Sequence, residues 1–280
     1  RLSAEDGLAL YRTHDLLGLG WLANHDRERR HGDAAYFVWN THVNHTNVCV
    51  ATCDFCAFAA KPGEERGYTM ALDEVFAIVA ALPEKVREVH VVGGLHPDLP
   101  WSYVLDMMRG LKRVRPDVHV KAFTAVEIFF FHRLYRMPVE QVLAELKAAG
   151  LDSMPGGGAE ILSDRVRQIL APGKTMSEDW INIMETAHAV GLPTTVTMMF
   201  AHIETYAERV EHLIRELDGV LATDVGYTGG TLDDRHRALD DFEHRLLAAL
   251  DQRRLEPDCA AGRDVGAESA LERIHQEVGA

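Results

Sequence analysis

The chain is poor in cysteine, in basic charge and in long apolar runs, and each shortage removes a class of protein. Four cysteines in 280 residues do not make a disulfide scaffold. Only 29 Lys and Arg face 43 Asp and Glu, a formal net charge of −14. That balance argues against a nucleic-acid partner, which needs clustered cations for its phosphates, and against an anionic membrane surface. No apolar run approaches the roughly 18 residues of a spanning helix. The opening stretch RLSAEDGLALYRTHDLLGLGWLANHDRERR carries acids inside its apolar pattern. It is therefore expected to be neither a signal nor a transit peptide, and a reducing cytoplasmic setting is the simplest expectation.

What is present is an ordinary globular composition, 47% hydrophobic and 8% aromatic, with elements in alternation. Residues 3–30 read as one helix, with Ser3 as N-cap and Asp6 in the first turn. AAYFVWNTHVN (34–44) reads as a strand. Helices are expected over 71–82, 100–114, 138–150, 163–170, 177–191 and 206–217, and strands over 88–94, 117–125, 151–161 and 193–201. Strand and helix recurring at about 30-residue intervals mean right-handed βαβ units on a parallel sheet. Glycine-rich and polar residues fall just after the strand ends, where (β/α) barrels build their sites. The fold expected is thus an α/β TIM-type barrel, partial or closed, over 34–235. A helical N-terminal extension (1–33) and a helical C-terminal segment (236–280) flank it. In the latter, 237–255 and 268–278 read as helices, and EPDCAAGRDVGA, which holds Cys259, as a linker.

Three of the four cysteines lie close together in NHTNVCVATCDFCAF (44–58), as Cys49, Cys53 and Cys56. Three thiolates fall short of a tetrahedral zinc site; His42 or His45 would have to complete it. A [4Fe–4S] cluster held by three cysteines is the other metal reading, and it leaves one iron open to a substrate. Three structural thiols are the third alternative. Other strand ends hold further candidates. Gly93 and Gly94 allow close backbone approach, and PGGGAE (155–160) offers Gly157 backbone and the Glu160 carboxylate to a ribose, carboxylate or phosphate. KAFTAVE (121–127) offers Lys121, Thr124 and Glu127. FAHIET (200–205) offers His202 and Glu204, which would share one side of an extended segment. His90, His96 and His119 read as structural, and the Met107, Met108, Met198 and Met199 pairs as core filling.

The pattern C-x3-C-x-aromatic-C, with Phe55 as the aromatic, resembles the signature of the radical S-adenosylmethionine (SAM) superfamily. Together with VVGGLHPDLPWSY, KAFTAVEI, GLDSMPGGGAEIL and HIETYAERVEHL, it is similar to the menaquinone (futalosine-pathway) group of that superfamily. Aminofutalosine synthase is the nearest pattern, cyclic dehypoxanthinylfutalosine synthase the next, and the deazaflavin chromophore enzyme a more distant one. The matching blocks span roughly residues 35–217; Ala201 stands where the pattern has glycine. The resemblance implies a [4Fe–4S] cluster on Cys49, Cys53 and Cys56, and SAM positioned by Phe55, Gly93, Gly94, Glu160 and, at neighbouring strand ends, Thr124, Glu127 and Gly157. It implies catalytic roles for His202 and Glu204, and an electron donor such as flavodoxin or ferredoxin. The implied substrate is 3-[(1-carboxyvinyl)oxy]benzoate, converted to 6-amino-6-deoxyfutalosine.

Overall fold

The computed structural model describes residues 3–216, so the expectations for the C-terminal segment, including Cys259, lie outside the described residues. Two compact units share these residues: 3–37 with 205–211, and 38–204 with 212–216.

In the first unit the expected single helix is two, α1 (Ala4–Arg12) and α2 (Leu16–His31). Ser3 and Asp6 form the anticipated reciprocal cap. The break comes at Asp15, whose carboxylate accepts from Gly18 N at 2.8 Å and so starts a new helix. Apolar spacing runs through both segments, and for that reason did not reveal the cap between them.

In the second unit, β1 (Asn40–Val43), β2 (Glu88–Val91) and β3 (His119–Ala122) form a parallel sheet in the order β1-β2-β3. Helices α3 (Leu72–Ala80), α4 (Trp101–Val114), α5 (Ala125–Tyr135), α6 (Val139–Ala149), α7 (Asp164–Leu170) and α8 (Ser177–Ala189) follow in chain order, and α9 (Tyr206–Arg215) begins among the residues of the first unit and ends among those of the second. Strands alternating with helices in this way are the parallel βαβ units the sequence predicts. The strands are shorter than expected. The ladder from β1 reaches back only through Arg87 N to Trp39 O, and Tyr36 and Phe37 stay exposed.

The fourth and fifth expected strands, 151–161 and 193–201, are reduced to single parallel bridges, Lys121↔Ser153 and Met154↔Thr194. Pro155 and three successive glycines end the fourth segment after Met154, since proline donates no ladder bond and glycine favours turns. Five parallel segments nevertheless lie side by side in chain order, which is the arc of a partial barrel.

Helix α5 was not anticipated. Its signal is Thr124-x-x-Glu127, a capping box hidden in what reads as strand end. One face of the sheet packs under the helices: Val43, Val89, Val91, Val120 and Ala122 are buried with Val75, Val104, Met107, Met108, Leu111, Ile128, Leu146 and Trp180. Each such aliphatic side chain contributes roughly 2 kcal/mol of burial. Met107 and Met108 are core filling as expected, at 0% exposure.

Candidate active site

The loop carrying the cysteines is fastened at three places. Thr46 and Val48 bridge to Thr69 and Ala60, and Cys49 N donates to Ala60 O at 2.8 Å. Gly94 N donates to Thr46 O and Val50 N to Leu95 O, docking the loop on the end of β2. Asp54 N donates to Leu170 O and the Thr52 hydroxyl to Pro172 O, tying it to the turn after α7. Cys49 is buried, Cys53 intermediate and Cys56 exposed, and all three are free thiols.

The two strand-end glycines have a structural reason. A Cβ on Gly94 would lie 2.2 Å from Val48 O, and one on Gly93 2.5 Å from the His45 ring. They let the cysteine loop sit directly on β2. Gly93 N donates to Glu127 Oε1 at 3.0 Å. Thr124 N and its hydroxyl donate to Glu127 Oε2 at 2.7 and 2.9 Å. Burial pushes the Glu127 carboxyl up to about 7 against the pull of those three donors. The polar atoms of Thr124 and Glu127 therefore tie β2, β3 and α5 together.

The glycine loop is held from below. Gly156 N donates to the Thr195 hydroxyl at 2.9 Å, and the Thr197 hydroxyl donates to Gly156 O at 2.7 Å. Gly157 packs against the Thr124 methyl and accepts from Trp180 Nε1 through its carbonyl at 3.4 Å. Glu160 follows, with φ 44°. Its carboxylate pairs with Lys174 Nζ at 2.9 Å and Arg167 Nη1 at 3.4 Å. Arg167, 1% exposed, also donates to the carbonyls of Gly158, Ala159 and Thr175.

Lys174 is the residue that strand-end reasoning missed, because it lies on a turn after α7. Its ammonium stands 5.4 Å above the Phe55 ring. Burial raises the Cys53 thiol and Lys174 opposes that shift, which places a cation beside the middle cysteine. The cysteines, Phe55, Glu160 and Lys174 thus form one neighbourhood at the strand C-terminal ends.

His202 and Glu204 are adjacent, but through a turn rather than the extended segment expected. Ala201 has φ 73°, and Glu204 accepts from Ala201 N at 2.7 Å and His202 N at 3.1 Å. His202 Nε2 lies 2.8 Å from Met199 O and Nδ1 2.9 Å from Glu204. Both ring nitrogens are engaged within the turn.

Three thiols on one loop, no fourth cysteine among the described residues, and a neighbouring cation fit a cluster that keeps one iron open. The histidines that a zinc site would need are elsewhere. The His42 ring meets His90 at 4.9 Å, and His45 is buried against Tyr103 and Phe123. Among the described residues, no three His, Cys, Asp or Glu side chains, the three cysteines included, are drawn together as a bound metal would hold them.

Residues 43–216 match the family model described as Radical SAM superfamily. The chain belongs to the radical SAM superfamily. The family implies a [4Fe–4S] cluster and SAM. An aminodeoxyfutalosine synthase of Thermus thermophilus is 49% identical over 216 residues, covering 77% of this chain and 58% of that protein. The aminodeoxyfutalosine synthase of Streptomyces coelicolor is 46% identical, covering 77% and 56%. A 5-amino-6-(D-ribitylamino)uracil–L-tyrosine 4-hydroxyphenyl transferase of Methanothermobacter thermautotrophicus is 40% identical, covering 71% and 54%. The chain thus spans a little over half the length of these relatives. Among solved structures, methylornithine synthase aligns with TM-score 0.59 at 14% identity, covering 80% of this chain and 62% of that one. The FeFe-hydrogenase maturase HydG of Carboxydothermus hydrogenoformans aligns with TM-score 0.60 at 18% identity, covering 78% and 49%. These likenesses show the fold. No helix among the described residues is long and apolar enough to cross a membrane.

Proposed function

We propose that this radical SAM protein catalyses the aminofutalosine synthase reaction of menaquinone biosynthesis. It would join the 5′-deoxyadenosyl group of SAM, released from methionine, to the enolpyruvyl double bond of 3-[(1-carboxyvinyl)oxy]benzoate, and rearrangement with loss of carbon dioxide would give 6-amino-6-deoxyfutalosine. The observation that carries the reading is the identity of 49% and 46% to two aminodeoxyfutalosine synthases across the segment that holds the cysteine loop.

When bound, the cluster supplies the electron that cleaves SAM to its 5′-deoxyadenosyl radical. The chain's own residues hold and orient. Cys49, Cys53 and Cys56 are the ligands. Lys174 lends positive charge beside Cys53 and is held there by Glu160. Gly93 and Gly94 seat the loop, and Phe55 lies on the same side as Lys174. Gly157 and Glu160 present the glycine loop to SAM. Thr124 and Glu127 fix the strand ends beneath them. His202 and Glu204 shape the turn that closes the fifth segment. The electron comes from a flavodoxin- or ferredoxin-type donor.

Anaerobic reconstitution with product mass analysis tests this reading. About four irons per chain, a covalent adenosyl adduct of the benzoate substrate, and loss of both in Cys53→Ala are expected. Free 5′-deoxyadenosine with a cyclised nucleoside product would instead identify the cyclase of the same pathway. Zinc alone at full occupancy would overturn the cluster.

A further inference from the structure

The sheet has a second face, and it is polar. The register aligns Asn40, Glu88 and His119 in one row and His42, His90 and Lys121 in the next. Alternation along each strand sends both rows to the side opposite the helix-packed valines. Ser153, in register with Lys121, continues the same face. Barrel interiors are ordinarily filled by branched apolar side chains. Here the corresponding positions hold three imidazoles, an ammonium and one carboxylate.

That carboxylate organises the rest. Glu88, with a side chain 6% exposed, pairs with Lys121 Nζ at 3.2 Å and with His90 Nε2. Asn40 Nδ2 lies 3.4 Å from the same His90 nitrogen, and His119 Nε2 lies 2.6 Å from the Ser153 hydroxyl. The edge of the His42 ring meets His90, and His42 is exposed. Burial pushes the Glu88 carboxyl up, but its contacts with His90 and Lys121 outweigh that and hold it below the usual range, so it is ionised. A buried ion pair of this kind seldom gains stability over apolar packing, so its presence calls for another use. The Lys121 ammonium carries three donors and spends one on Glu88, which leaves two for a further acceptor. The group suited to such a place is an anion.

We propose that Lys121, His90 and His42 receive a carboxylate of an organic-acid substrate on the inner face of the sheet, with Glu88 holding Lys121 and His90 in place. The identity of that acid as an aromatic one rests on the function proposed above. At about 3.3 Å per residue, the row lies roughly 10 Å along the strands from the level of His45 and Gly93, where the cysteine loop docks. That is the length of one substituted benzoate. His90, which reads from the sequence as structural, becomes part of the site.

The test uses the reconstituted full chain, with 3-methoxybenzoate and its methyl ester as probes titrated by calorimetry. The acid is expected to bind the wild type more tightly than the ester. Lys121→Met is expected to weaken the acid about tenfold or more, the loss of a charge-assisted hydrogen bond, and to leave the ester unchanged. Lys121→Arg should retain most of the affinity. The double variant Glu88→Gln/Lys121→Met removes both charges of the pair, and the same loss there shows that a stranded glutamate is not the cause. Iron content and substrate-free SAM cleavage are expected to stay at the wild-type level in all of them. Equal binding of acid and ester by the wild type, or equal loss of both in Lys121→Met, would overturn the proposal. Failure of the wild type to cleave SAM would instead overturn the proposed function, while the acid-to-ester ratio would still decide the carboxylate site.

Discussion

Replacing Arg167 by leucine should unfasten the glycine loop proposed to hold SAM. The guanidinium is 1% exposed and donates from Nε to Thr175 O at 2.8 Å and from Nη1 to Gly158 O at 2.9 Å and to Ala159 O. It also lies 3.4 Å from Glu160. Leucine fills much of the volume but leaves three backbone carbonyls without their charged donor, and Glu160 with Lys174 alone. Each buried acceptor left unpaired costs about 1 kcal/mol or more, and breaking a buried ion pair about 3–5 kcal/mol. These overlap, so the expected loss is about 3–5 kcal/mol, a large share of the 5–15 kcal/mol typical of a folded domain. Urea denaturation followed by circular dichroism gives the stability, and equilibrium titration with SAM gives the site. Both should suffer, and Arg167→Lys should recover less than half, because a single ammonium does not reproduce the fork that reaches both the glycine loop and the 171–175 turn. A midpoint shift worth less than about 1 kcal/mol, with SAM affinity unchanged, would refute the view that Arg167 joins those two segments.

Two further outcomes follow from the same neighbourhood. Gly94→Ala places a methyl against the backbone of Val48, and no rotamer change relieves it; iron incorporation on reconstitution should fall severalfold while far-UV circular dichroism barely changes. The Glu127 carboxyl, at about 7 in the folded protein, ionises near 4.3 when unfolded. Its contribution to stability is therefore complete below that lower value and is lost as pH rises through about 7, amounting to roughly 4 kcal/mol. Urea midpoints between pH 5 and 8 should fall with pH, and the slope should flatten in Glu127→Gln; a parallel slope in the variant would show that Glu127 is already ionised in the fold.

The three cysteines proposed as cluster ligands stood out because their spacing is local. Cys49, Cys53 and Cys56 lie within eight consecutive positions, a spacing visible without any tertiary contact. The alternation of apolar strand and amphipathic helix was equally plain, since burial on one face writes a period into the chain. Element ends were not. Thr124 and Glu127 read as strand-end ligands and are the cap of a helix, and the pairing of His202 with Glu204 depends on a turn at Ala201. Backbone conformation at such points is decided by long-range partners, here Gly93 for Glu127 and Glu160 for Met199.

The sequence by itself determined the three-cysteine motif, through which the family resemblance is carried, and the class of fold, through spacing and periodicity that survive without tertiary contacts. Only the tertiary structure decided what surrounds the chemistry. It brought Lys174, from more than a hundred residues away in the chain, over Phe55 and beside Cys53. It also turned Glu88, His90 and Lys121 onto one inner face, because strand register, which no local pattern encodes, sets which side chains meet.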